Sequence, residues 1–411
     1  MVQESVFQAA EAATRLMALP WILAARWLSG DSGRDLVPRG PGTTSLAVRA
    51  KAAVDELFFA SEVLGGAPLP LMDAKRIATE TKEAIIFFRE NGWLENPEKY
   101  HRTPEAPTHV HLESAEIAGL DAERISFHSG YAPWKGEPGR ERWLGYEENH
   151  QAHAKIFRHP GEDRPWVVCI PGYRMGQDLA DSVAFRVQWL HRDLGLNVAI
   201  PTLPLHGPRT VGRRSGDHFL AGDFIDTLHA ETQAIWDIRK LLAWIREQGA
   251  PALGIYGLSL GAYTTAMIAS LEDDLDCVVA GIPTIDFVDL VQSNTAGWAL
   301  RVTGLLGFPW DSICEMLRVV SPLELSLKTD NSKCFIFAGL YDQVAPPEQA
   351  RALWRHWGRP KMVWYRGGHV SFLMEREVRD LLASAFRRTG LVPDPVYLPR
   401  LLELQPALAM S

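Results

Sequence analysis

The chain has 411 residues, a formal net charge of −8 and 46% apolar residues. That length and content suit one large α/β domain with an accessory region, or two domains, and exclude wholesale disorder. Lys and Arg are scattered without a basic block, which argues against nucleic acid or an acidic membrane surface as the main partner.

In chain order, the first unusual segment is Leu16 to Ala25, an apolar run with Glu11, Arg15 and Arg26 close by. It is shorter than the roughly 20 apolar residues a membrane span needs, and Lys and Arg are missing from the first 14 positions, a poor fit to a cleaved signal peptide. An amphipathic helix is expected there, lying on the protein or, as the open alternative, on a lipid interface. A cytoplasmic location is the expectation. Helical spacing of Val54, Leu57, Phe58, Ser61 and Leu64, and of Ile77, Thr81, Ala84, Ile85 and Phe88, predicts two helices. Gly65-Gly66-Ala67-Pro68 separates them and Asn91-Gly92 ends the second. Glu95 to about Ser114 reads as a linker or wrapping loop.

From about residue 121, strands alternate with helices. Strands are predicted at Ile125 to His128, His153 to Arg158, Trp166 to Ile170, Asn197 to Ile200, Leu253 to Tyr256, Cys277 to Ile282, Cys334 to Phe337 and Lys361 to Tyr365. Helices are predicted at Ala180 to Asp193 and Asp223 to Gln248. Such alternation implies a mostly parallel sheet covered on both faces, with ligands beyond the carboxyl ends of its strands. The cysteines Cys169, Cys277, Cys314 and Cys334 form no CxxC pair and read as buried thiols rather than a metal site or disulfide framework.

The most informative residues are Gly257-Leu258-Ser259-Leu260-Gly261, a G-x-S-x-G between a short strand and a small-residue helix. A serine on so sharp a turn has a strained backbone, and flanking glycines remove side chains that would clash. Here the chain resembles the α/β-hydrolase superfamily, over about Asp121 to Arg388. The order serine, acid, histidine is that of the family: Asp342 lies in Gly339-Leu340-Tyr341-Asp342 before a proline-started helix, and His369 ends a Gly367-Gly368-His369 loop. They follow Ser259 by 83 and 110 residues. The resemblance implies an α/β-hydrolase fold and a Ser259, His369, Asp342 triad. Asp286 is the reserve acid, with a helix cap as its competing role.

The resemblance also implies an oxyanion hole from the backbone amides of Leu260 and of Tyr173, in Ile170-Pro171-Gly172-Tyr173. Many relatives carry a His where this chain has Pro171. The Tyr173 hydroxyl either lines the pocket or contacts the oxyanion; Arg174 either binds a substrate carboxylate or forms a salt bridge. His206, in a turn resembling the family's, is expected to be structural rather than a second catalytic histidine. His150, His153 and His159 have mixed parity on or near a strand, so no metal site is expected. The absence of a Rossmann or Walker glycine loop matches a cofactor-free enzyme.

Between Thr284 and Leu327 the strand-helix rhythm stops, where the family inserts a cap; Trp298 and Phe308 are its candidate substrate-pocket residues. The expected division is an N-terminal helical extension and linker, 1–118, and a hydrolase domain, 119–411, with a cap at about 284–327. A homodimer contact through the N-terminal helices stays open. The expected activity is hydrolysis of a small, apolar carboxylic ester through an acyl-enzyme. Acyltransferase, thioesterase, peptidase and carbon–carbon hydrolase are alternatives on the same triad, and a ligand-binding module without catalysis is a further one. A serine nucleophile disfavours the dehalogenases and epoxide hydrolases of this superfamily, which use an aspartate.

Overall fold

The computed structural model describes residues 73–161, 163–220, 223–294 and 308–393. The helix candidates at Leu16 to Ala25 and Val54 to Leu64 lie outside the described residues. Among those described, the strands β1 (His111–Ile117), β2 (Leu120–His128), β3 (Gln151–Phe157), β4 (Trp166–Ile170), β5 (Asn197–Thr202), β6 (Leu253–Leu258), β7 (Cys277–Gly281), β8 (Cys334–Gly339) and β9 (Lys361–Tyr365) form one sheet. Its order is β1-β2-β3-β5-β4-β6-β7-β8-β9. β1, β2, β3 and β5 pair antiparallel, and β5-β4-β6-β7-β8-β9 pair parallel.

The α-helices are α1 (Ala74–Glu90), α2 (Arg140–Leu144), α3 (Asp178–Ala184), α4 (Phe224–Glu247), α5 (Leu260–Ala269), α6 (Phe287–Asn294), α7 (Trp310–Leu317), α8 (Pro347–His356) and α9 (Arg376–Arg388). Strands β4 to β8 are buried along their whole lengths and rich in Val, Ile and Phe, as strands covered on both faces must be. Alternate side chains feed two cores. Val168, Ile255, Val278 and Ile336 meet α4 and α5 on one face; Val167, Tyr256, Val279 and Phe337 meet Phe185 and α9 on the other.

Helix α1 buries Ile77, Thr81, Ala84, Ile85 and Phe88, the stripe its spacing predicts. It packs against α4 and α7. Arg76 bonds Asp223 at 2.5 Å, and Arg142 reaches both oxygens of Glu80 at 2.9 Å. Of the cysteines, Cys169, Cys277 and Cys334 are buried and Cys314 is exposed. No helix among the described residues is long and apolar enough to cross a membrane.

Two elements differ from expectation. The expected loop ends early, in β1, whose residues are mostly exposed. An edge strand with both faces largely wet has no reason to alternate hydrophobic and polar residues. Its hairpin partner is set by the turn Ala118-Gly119, both at positive φ (53° and 75°), a conformation whose twist matches that of the flanking strands. The helix expected over Ala180 to Asp193 stops at Ala184. Arg186 takes a φ of 51°, which ends it, and Trp189–Asp193 forms a separate π turn.

Topology places the site. The chain passes from β4 to β5 on one side, then returns to β6 on the other. Connections therefore diverge at the carboxyl ends of β4 and β6, where a crevice must open. In the parallel register Ile170 is opposite Gly257, so the loops after β4 and β6 emerge side by side.

Candidate active site

Ser259 links β6 to α5 at φ 56° and ψ −114°, a backbone conformation costly for a residue with a side chain. The flanking glycines have measurable reasons. A Cβ on Gly257 would lie 2.1 Å from the Gly261 oxygen, and one on Gly261 would lie 2.0 Å from the Ile170 oxygen. The turn closes only without those atoms.

Backbone hydrogen bonds carry the sheet past its strands and fix the spacing of the site. Ser259 N donates to Gly281 O at 3.0 Å, Ile282 N to Phe337 O at 2.7 Å, and Leu340 N to Tyr365 O at 3.0 Å. Asp342 after β8 and His369 after β9 are thereby brought to the serine. Ser259 Oγ lies 2.9 Å from His369 Nε2, and His369 Nδ1 lies 2.7 Å from Asp342 Oδ2. The other carboxylate oxygen accepts the amides of Val344 at 2.9 Å and Ala345 at 2.8 Å. A carboxylate so held accepts a hydrogen bond from Nδ1–H and leaves Nε2 as the acceptor for the serine hydroxyl. The arrangement can draw a proton from Ser259 and hold the resulting imidazolium. The reserve acid Asp286 is elsewhere engaged: its Oδ1 accepts Asp289 N at 2.8 Å in the first turn of α6.

Leu260 is the first residue of α5, where an amide has no acceptor within its own helix. Gly172 lies against the serine: a Cβ there would be 3.4 Å from Ser259 Cβ. That contact brings the Tyr173 segment beside Ser259, and Tyr173 lines the cavity described below. Arg174 takes the salt-bridge alternative. Its guanidinium pairs with Asp217, donates to Ser215 O at 2.9 Å and lies over the Tyr173 ring, so its charge is already matched within the protein. His206 is buried, its Nδ1 donating to Pro204 O at 2.8 Å, with Tyr173 and Phe219 edge-on to its ring. Burial pushes its pKa down to about 4.

A cavity of about 280 Å³ opens at Ser259 and His369. Met175, Leu220, Ile282, Phe287, Leu290 and Phe372 give it an almost wholly apolar wall. Phe308 does not line it. That ring packs on Trp310, centroids 4.7 Å apart, and Trp310 meets Phe224 of α4, so a core contact takes the aromatic expected in the pocket. Trp298 lies outside the described residues. Sequence reasoning missed Met175, Phe287 and Phe372. Each stands within eight residues of the end of β4, β7 or β9, so a search of the segments after each parallel strand would have found them.

The sheet order and the turn that carries Ser259 give the chain the α/β-hydrolase fold. An acetyl xylan esterase from a Thermoanaerobacterium species superposes with a TM-score of 0.51 over 73% of this chain and 93% of its own, at 17% identity, a likeness of fold. The chain belongs to one family with the uncharacterized proteins Rv2627c and MT2702 of two Mycobacterium tuberculosis strains, each 38% identical over 371 residues and 89% of both chains. No protein-family model matches it.

Proposed function

We propose that this protein is a serine hydrolase that cleaves apolar carboxylic esters through an acyl-enzyme. The observation that carries the reading is the unbroken relay Asp342–His369–Ser259 opening into an apolar cavity. Ser259 Oγ attacks the ester carbonyl carbon as His369 Nε2 takes its proton. The carbonyl oxygen becomes an oxyanion received by the amides of Leu260 and Tyr173. Collapse breaks the bond to the alcohol oxygen, which leaves with the proton from His369. Water then repeats the sequence on the acyl-serine, with His369 again as base, releasing the acid. Asp342 holds the imidazole tautomer and offsets its transient charge.

The wall favours a hydrocarbon acyl group over a charged one, because no Lys or Arg among the described residues lines the cavity and Arg174 is paired. Each added methylene should raise kcat/KM by roughly fourfold until the cavity is full. The test joins labelling by a fluorophosphonate probe with an ester series matched in leaving group. Wild type should be labelled and Ser259→Ala should not. A wild-type enzyme that neither labels nor cleaves any ester of the series sinks the proposal; preference for a carboxylate-bearing acyl group would overturn the apolar reading.

A further inference from the structure

A second depression, of about 940 Å³, lies on the other side of α3 from the catalytic cavity. Ala180 and Ala184 face the cavity, whereas Leu179 and Val183 face the groove. Leu373, four residues after His369, lines both. Two alanines one helical turn apart make α3 a low wall at this point. The segment bearing Leu373 is held across it by Arg186, whose guanidinium donates to Phe372 O at 3.2 Å and Leu373 O at 2.6 Å.

The groove sets exposed apolar side chains among polar ones, Ser182, Gln188, Asp193 and Glu375. Leu179, Val183 and Met374 are 68%, 53% and 68% exposed; among the described residues the other large exposed apolar side chains are Ile86 and Leu112, which do not line it. Val187 and Trp189 line it too, as do Arg376 and Arg379. Three exposed apolar side chains gathered on one groove that shares a wall residue with an acyl cavity form a patch that needs an occupant.

We propose that the groove is a second acyl subsite: the substrate's hydrocarbon chain fills the catalytic cavity, crosses the saddle at Ala180, Ala184 and Leu373, and lies along Leu179, Val183 and Met374. The substrate class is then the ester of a long-chain fatty acid. This rests on the hydrolase reading above for its chemistry, though not for its binding.

Esters with the same leaving group and acyl chains from butanoyl to tetradecanoyl, all kept below their critical micelle concentrations, test it. kcat/KM should rise, level off as the cavity fills, then rise again as the chain reaches the groove. Leu179→Ser/Val183→Ser/Met374→Ser should lower the dodecanoyl-to-butanoyl ratio by roughly tenfold or more. Ile86→Ser/Leu112→Ser, which replaces exposed apolar residues elsewhere, should leave that ratio unchanged.

Binding is measured separately in Ser259→Ala by calorimetry with sodium hexanoate and sodium dodecanoate. Dodecanoate should bind more tightly, and the triple substitution should remove most of the difference. If dodecanoate binds so while wild type cleaves no ester, the hydrolase reading has failed and the subsite stands. A single plateau with no second rise, or a triple variant with the wild-type ratio, overturns the subsite. A second rise seen only above the micelle concentration also overturns it, because the patch then docks on a lipid aggregate rather than on the substrate's own chain.

Discussion

A methyl group on Gly261 would lie 2.0 Å from the carbonyl oxygen of Ile170. The helix after Ser259 thus rests directly on the end of β4, and that contact sets the gap between Ser259 and the Tyr173 loop. Gly261→Ala must push α5 and β4 apart. Overpacking of this kind costs about 1–3 kcal/mol, and a misplacement near 1 Å can reduce turnover by about a hundredfold. Urea denaturation and ester turnover of the purified variant give the answer; wild-type values for both would refute the packing argument.

The strained backbone at Ser259 sets function against stability. Ser259→Ala keeps the strain and loses the hydroxyl. Ser259→Gly loses both, and relief of about 1–3 kcal/mol outweighs the roughly 0.5–1 kcal/mol that glycine costs through the unfolded chain. Both variants should be inactive, with the glycine variant the more stable by about 1 kcal/mol. A glycine variant that melts well below the alanine one contradicts the strain assignment.

Two aspartates that follow strands have separable roles. Asp342→Asn should hold its fold and lower turnover by roughly ten-thousand-fold, because the amide enforces the wrong imidazole tautomer. Asp286→Ala removes the bond to Asp289 N and should cost about 1 kcal/mol of stability with turnover retained. Turnover and thermal denaturation measured on both variants would show a reversed ranking at once.

Glu231 adds a pH dependence to the fold. It is wholly buried in α4, accepts the Thr264 hydroxyl at 3.1 Å, and burial raises its pKa to about 8. The folded state therefore holds a proton that the unfolded state releases above about pH 4.5. Stability from this group is complete below that pH and declines as pH rises toward 8, by at most about 1.4 kcal/mol per pH unit. Between pH 7 and 8 the wild type should lose stability to urea, whereas Glu231→Gln should show little slope. Equal slopes in the two proteins would reject Glu231 as the source.

The positions proposed as nucleophile, acid and base were legible because each carries local chemistry: a glycine-flanked serine, an aspartate before a proline-started helix, a histidine after two glycines. The parallel strands were legible because burial on both faces makes them continuous apolar runs. Strand β1 was not, since an edge strand wet on both faces carries no period, and the break of α3 at Arg186 has no glycine or proline to announce it.

By itself the sequence determined what is local: the helical stripe of α1, the core strands, and the turn chemistry that strains Ser259. Only the tertiary structure decided what is assembled. Met175, Phe287 and Phe372 come from three different strand ends, and register and crossover order bring them around one cavity. Arg174 is paired with Asp217, and Phe308 is packed on Trp310. A side chain's neighbours along the chain limit its conformation, but its partner is whichever group the packed fold sets within reach, and no spacing rule records that distance.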